Sequence, residues 1–255
     1  MVISLLRFKK ALPEACQDPD LKRDVPTLIE SRNFKYETHN VTTDDGYILT
    51  AHRILSPFPD STAYPVILQH GLMASGRDFI VNAAGGTPEE IATPGRPVGN
   101  NLGFELAGRG YDVWLTNSRG NSYSRRHIRL DAERDKKFWD FSFDQKIEYD
   151  CPAFIEYIRK TTHSPTVGYV GHSQGCLIMF ALLSIKPIYN QVVKPFIALS
   201  PVTTVGHIKS PFRFLAEQSM LLKLLRRTGG QFLPSNAVMQ AIASRSNLLP
   251  DGKWP

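Results

Sequence analysis

The chain has 255 residues, 42% of them hydrophobic, and a formal net charge of +6. That length allows one domain with a full core, and no apolar run approaches the roughly 20 residues a membrane-spanning helix needs. The charge is lopsided: up to Ser173 there are 21 Lys/Arg against 22 Asp/Glu, and after it 9 against 2.

A basic, apolar final third suits an anionic or lipid surface, and suits a solvated basic face equally well. It does not read as nucleic-acid binding, because no recognised motif accompanies it. Cys16, Cys151 and Cys176 form no disulfide framework, and no C-x-x-C or His cluster points to a metal. No cofactor is expected. The N-terminus does not read as a secretion signal: the apolar run 2–6 is short, and Arg7, Lys9 and Lys10 follow it instead of preceding it. Asn40-Val41-Thr42 is a glycosylation sequon, meaningful only in a secreted chain.

In chain order, residues 1–34 are expected to form a surface arm with a short helix near 25–31. Residues 36–42 and 47–54 alternate and are joined by Thr43-Asp44-Asp45-Gly46, which reads as a hairpin. Residues 65–69 form a short buried strand running into His70-Gly71-Leu72. His70 reads as a structural histidine that shapes this loop, not as a base. Residues 82–101 are rich in Gly and Pro and read as an exposed loop. A helix is expected over 102–109 with Gly110 as its C-cap, then a strand over 112–117, then a polar stretch over 122–137.

The pattern Ile147, Cys151, Phe154, Ile155, Ile158 predicts a long amphipathic helix from 141 to 158, bent at Pro152. A strand over 166–171 leads into Gly171-His172-Ser173-Gln174-Gly175, and a helix follows over 174–184. A last strand covers 192–199. The sum is an α/β fold: a doubly wound, mostly parallel sheet with a leading hairpin. After about residue 203 only short helical pieces remain, which reads as the start of a helical lid. The expected divisions are an arm (1–34), a partial core (35–202) and a partial lid (203–255).

Strand, G-x-S-x-G and helix together describe a nucleophile elbow. Ser173 sits on a strained turn with its hydroxyl exposed, and the two glycines let strand and helix pass closely. The plainer alternative is a Gly-rich turn with a solvated Ser. In such an elbow the backbone N–H of Gln174 and that of Leu72, after the H-G strand end, are the candidate oxyanion donors. Cys176 reads as core packing. An ester-cleaving Ser also needs a His base and an orienting carboxylate, which follow it in the order acid, then His. After Ser173 the chain offers only His207, Glu217 and Asp251, with His207 ahead of both acids. The expectation is a chain carrying the nucleophile and oxyanion donors without the acid and base.

These motifs in combination resemble the acid lipase family, the group of lysosomal acid lipase and gastric lipase, within the α/β-hydrolase superfamily. The matching stretches are Val41-Thr42-Thr43-Asp44-Asp45-Gly46-Tyr47, Leu68-Gln69-His70-Gly71-Leu72, Asn117-Ser118-Arg119-Gly120-Asn121, Phe141-Ser142-Phe143-Asp144 and Gly171-His172-Ser173-Gln174-Gly175. The resemblance implies hydrolysis of triacylglycerols or cholesteryl esters at a lipid–water interface, in a secreted or lysosomal setting. It gives Ser173 as nucleophile and Leu72 and Gln174 as oxyanion donors. The family's Asp and His lie far beyond the Ser, so no position here matches them. The expectation is the N-terminal part of such an enzyme, inactive alone, and the loop over 82–101 reads as longer than the family's. The competing readings are a non-catalytic short form that binds lipid or a protein partner, and a working esterase that uses His207. A leucine-rich basic run at 221–227 suits either a surface-seeking lid piece or an ordinary packed helix.

Overall fold

The computed structural model describes residues 19–21, 23–58, 63–82, 85–93 and 101–204. These fall into two compact units: one built from residues up to Arg125 together with Phe143–Thr203, the other from Arg126–Ser142 and Thr204. Almost all of the expected lid, with His207, Glu217, Asp251 and the run at 221–227, lies outside the described residues.

The first unit holds a twisted sheet of six strands on one continuous path: β1 (Tyr36–Thr42), β2 (Tyr47–Ile54), β3 (Pro65–Gln69), β4 (Asp112–Asn117), β5 (Val167–His172) and β6 (Val193–Leu199). Their order is β1-β2-β4-β3-β5-β6. β1 and β2 are the expected hairpin, antiparallel from Tyr36↔Ile54 to Thr42↔Ile48. Gly46 takes φ 97° in the turn, and the Thr43 hydroxyl accepts from the Tyr47 N–H at 2.9 Å. From β4 onward the path is parallel, with Pro65↔Asp112, Val66↔Gly168 and Val170↔Ile197 as pairs. Strands β3 and β4 are buried along their whole length. Central parallel strands are covered on both faces, so a near-continuous apolar run such as Pro65-Val66-Ile67-Leu68 forms one.

Among the described residues the α-helices of five or more residues are α1 (Val25–Glu30), α2 (Pro88–Ala92), α3 (Leu102–Gly108), α4 (Cys151–Thr162) and α5 (Gln174–Ile185). The short α1 was expected in a surface arm, yet its Val25, Leu28 and Ile29 are fully buried beside Phe34, Leu68 and Phe104 in the core. Asp24 caps it by accepting from the Thr27 N–H at 2.9 Å. The stretch expected as plain loop contains α2, closed by a capping box between Thr87 and Glu90.

The helix expected over 141–158 with a bend at Pro152 is found as three consecutive pieces over 143–162. A single α turn, Phe143–Gln145, passes into a π-helical turn, Lys146–Asp150, before α4 begins. The Cys151 N–H reaches back to the Lys146 carbonyl, the wider π spacing. Pro152 has no N–H for the Glu148 carbonyl four residues earlier, and the Lys186 ammonium donates to that carbonyl at 3.2 Å instead.

The second unit is small among the described residues. Arg126 and Asp131 form an antiparallel bridge. His127 Nδ1 accepts from the Arg129 and Leu130 N–H groups at 3.0 and 3.1 Å. A 3-10 turn, Lys136–Trp139, ends with the Trp139 indole donating to the Ala132 carbonyl at 2.8 Å.

Candidate active site

Strand β5 ends at His172, α5 begins at Gln174, and Ser173 alone makes the bend, at φ 52° and ψ −113°. That conformation is costly for a residue with a side chain. It persists because its backbone is held from both sides. The Ser173 N–H donates to the Leu199 carbonyl at the end of β6 at 3.0 Å, and the Ser173 carbonyl accepts from Cys176 at 3.0 Å. The hydroxyl makes no capping bond and the residue is half-buried among the described residues.

The flanking glycines are required by contact distance. A Cβ on Gly175 would lie 2.5 Å from the Gln69 carbonyl oxygen and 3.0 Å from that of His70. A Cβ on Gly171 would lie 2.8 Å from Cys176 N. Helix α5 therefore starts in direct backbone contact with the end of β3. The loop after β3 reaches the bend as well, since a Cβ on Gly71 would lie 3.0 Å from the Ser173 Cβ. Cys176 packs inward as expected, fully buried, with its thiol donating to the Gly171 carbonyl at 3.0 Å.

Two backbone N–H groups belong to the elements that meet at this bend. Gln174 is the first residue of α5, where an N–H has no intrahelical acceptor. Leu72 follows Gly71 on the adjoining loop. Among the described residues neither of these N–H groups has a hydrogen-bond acceptor. Side chains of the same loop are exposed, Leu72 at 54% and Met73 at 51%, with Met73 at φ 61°.

His70 holds the loop from behind. Its Nε2 accepts from the Ser118 N–H at 3.1 Å, so Nδ1 carries the proton and donates to the Gly71 carbonyl at 2.7 Å. Burial pushes its pKa down to about 4, against the pull of the Gly71 hydrogen bond and assisted by the Lys146 charge. A neutral imidazole with both nitrogens committed is a brace, as the sequence reading expected, and has no lone pair for the Ser173 proton.

One buried charge network was not foreseen. The fully buried Arg119 donates from Nε to Asp150 Oδ1 at 2.7 Å and from Nη1 to Asp45 Oδ2 at 2.6 Å, while its own N–H donates to Asp150 Oδ2 at 2.9 Å. Its guanidinium also lies over the Tyr47 ring, 4.0 Å from the centroid. Burial pushes the Asp150 carboxyl up, and Arg119 opposes this. Lys146, one turn before Asp150, donates from Nζ to the Gln174 side-chain oxygen at 3.0 Å.

Among the described residues no group of His, Cys, Asp or Glu is arranged to hold a metal ion, and no helix is long and apolar enough to cross a membrane.

Comparison with known proteins bears on this geometry. Residues 64–249 match the family model described as "alpha/beta hydrolase fold", and residues 25–83 match the "Partial alpha/beta-hydrolase lipase region". The chain is 36% identical to human lipase member M over 217 residues, 83% of this chain and 48% of that protein. It is 39% identical to bovine gastric triacylglycerol lipase over 211 residues, 80% of this chain and 49% of that protein. It is 42% identical to Drosophila melanogaster lipase 1 over 191 residues, 72% and 39% of the two. An esterase from Pyrococcus furiosus superposes with a TM-score of 0.49 at 18% identity, covering 82% of this chain and 65% of that one. The chain spans about half the length of the curated relatives it matches.

Proposed function

This chain belongs to the α/β-hydrolase fold family, and on that premise we propose that it carries the nucleophile half of a lipid carboxylic-ester hydrolase. Ser173 is the nucleophile, and the backbone N–H groups of Leu72 and Gln174 are the oxyanion donors. The observation carrying this reading is the Ser173 bend: a strained, half-buried Ser with two amides that have no acceptor among the described residues, on the elements that meet there.

The chemistry follows from the arrangement. The Ser173 Oγ attacks the ester carbonyl as its proton leaves to a base. The carbonyl oxygen takes the negative charge and is met by the two N–H groups, each worth about 2.7–4 kcal/mol to the transition state. Collapse expels the alcohol and leaves an acyl-Ser173, which water cleaves to the acid. His70 is not the base, for the reason given above, and the proton acceptor and its carboxylate are assigned to no described residue. Relatives named gastric triacylglycerol lipase support a triacylglycerol substrate; a cholesteryl ester is the other substrate class implied by the acid-lipase resemblance. The acid-lipase resemblance implies a secreted or lysosomal setting.

The test is labelling by a fluorophosphonate, read by intact mass and peptide mapping. Ser173 is expected to gain the phosphonyl group, and Ser173→Ala to gain nothing. A wild-type chain that stays unlabelled at Ser173 up to pH 11, where hydroxide can take the proton in place of the unassigned base, refutes the reading; if that chain still floats with lipid vesicles, the alternative of lipid binding without turnover takes its place.

A further inference from the structure

The Lys146 ammonium is poorly placed by ordinary electrostatics. It sits at the start of α5, where the helix dipole favours negative charge. The carboxylate nearest along its own turn, Asp150, is already engaged twice by Arg119. Among the described residues the one hydrogen bond of the Lys146 side chain goes to a neutral amide oxygen, that of Gln174. Its charge is felt at His70, behind the other oxyanion donor. A cation that opposes a helix dipole and lacks a carboxylate of its own gains most when negative charge arrives nearby. The Ser173 bend is where such charge would form.

We infer that Lys146 is a positioning residue of the oxyanion turn, holding the Gln174 side chain and adding positive charge beside the two backbone donors. This rests on the proposed roles of Ser173 and Gln174. The ammonium holds the side chain of the residue that carries the proposed donor, and its charge is in place before the reaction instead of being gathered during it. Burial holds the Lys146 pKa below the ordinary lysine value, Asp150 opposing and Arg119 assisting. The groups facing it are Asp150 on its own turn, Arg119 after β4, His70 after β3 and the neutral Gln174 on α5.

The experiment compares fluorophosphonate labelling rates at Ser173 for the wild-type chain, Lys146→Met and Lys146→Arg from pH 7 to pH 11, alongside thermal melting of each. In this reaction the Oγ–P bond forms as the P–F bond breaks, fluoride leaves with the electron pair and the hydroxyl proton passes to buffer. At pH 7 Lys146→Met is expected to label about tenfold more slowly and Lys146→Arg within about threefold of wild type. The wild-type advantage over Lys146→Met fades as pH rises through the lysine pKa, whereas that of Lys146→Arg persists. Lys146→Met labelling at the wild-type rate at pH 7 overturns the inference. So does a defect that is independent of pH and equal in both variants, the mark of a purely structural role. A wild-type chain without label fails at the earlier step, the nucleophile itself, and takes this inference with it.

Discussion

Gly175→Ala is the sharpest test of how the bend is built. The new methyl would lie 2.5 Å from the Gln69 carbonyl oxygen, 3.0 Å from that of His70 and 3.1 Å from the Gln69 Cγ. The first two are backbone atoms at the end of β3, which is paired to β4 on one side and β5 on the other. No rotamer change relieves such a contact, so α5 must move off the sheet or the loop at His70 must give way. Overpacking of this kind costs about 3 kcal/mol at the upper end of its usual range. The gain in helix propensity from Gly to Ala returns about 1 kcal/mol, leaving about 2 kcal/mol of destabilisation.

For a chain of this size, 2 kcal/mol corresponds to a melting point lowered by about 4–8 °C. Gly168→Ala is the control: its methyl would meet the Val66 Cγ2 at 3.3 Å and the Tyr64 ring at 3.5 Å, both side chains able to yield, and the expected shift is below about 2 °C. Differential scanning fluorimetry of the three chains, with labelling at Ser173 as second readout, decides the matter. A Gly175→Ala chain that melts and labels like wild type would show that α5 and β3 are not in contact as described.

Three further outcomes are expected. Ser173→Gly should raise the urea midpoint by an amount equivalent to about 1 kcal/mol, because the strain at φ 52° outweighs the added freedom of the unfolded chain and the side chain makes no capping bond; an unchanged midpoint would mean the bend is unstrained. Arg119→Met should destabilise by about 3 kcal/mol by leaving the buried Asp150 charge with only the Lys146 ammonium to oppose it, and adding Asp150→Asn should recover part of that loss in chemical denaturation. Burial pushes His52 and His70 down to about 4, whereas unfolded imidazoles titrate near ~6.5. The unfolded chain therefore binds more protons, and stability should be flat above about pH 6.5 and fall between there and pH 4. Urea midpoints that hold constant from pH 7 to pH 5 would contradict this.

The sheet was legible because its strands differ in kind. β1 and β2 alternate, and the D-G turn between them forces a hairpin. β3 is a short run, apolar over its first four residues, which a central parallel strand can bury on both faces. Their bounds, and those of β4, were read from the chain as they stand. The two helices α3 and α5 were legible from Gly110 and from the elbow motif. What escaped was set by contacts distant in sequence. α1 looked like part of a surface arm because nothing local says that Val25, Leu28 and Ile29 meet Phe104 and Leu68. The π-helical turn escaped because periodicity alone places Ile147 and Cys151 correctly on either a straight or a widened helix. The Arg119 network joins three separate segments, the β1–β2 turn, the end of β4 and the turn before α4, and the spacing of Asp45, Arg119 and Asp150 carries no sign of it.

The devices around the bend share one physical character: each raises the free energy of the empty site. Ser173 occupies a conformation that its Cβ disfavours. The Leu72 and Gln174 amides have no acceptor among the described residues. Lys146 faces the positive end of a helix. An anionic oxygen formed at Ser173 would relieve the last two at once, accepting from the amides and balancing the ammonium. The surroundings supply the opposing stability: His70 is locked between Ser118 and Gly71, Arg119 ties together two carboxylates, and Gly175 lets α5 rest on the end of β3. A bend with the same backbone but an ordinary solvated Ser would gain nothing from the Lys146 cation, so the labelling rates of the Lys146 variants are the measurement that separates a reactive turn from a merely tight one.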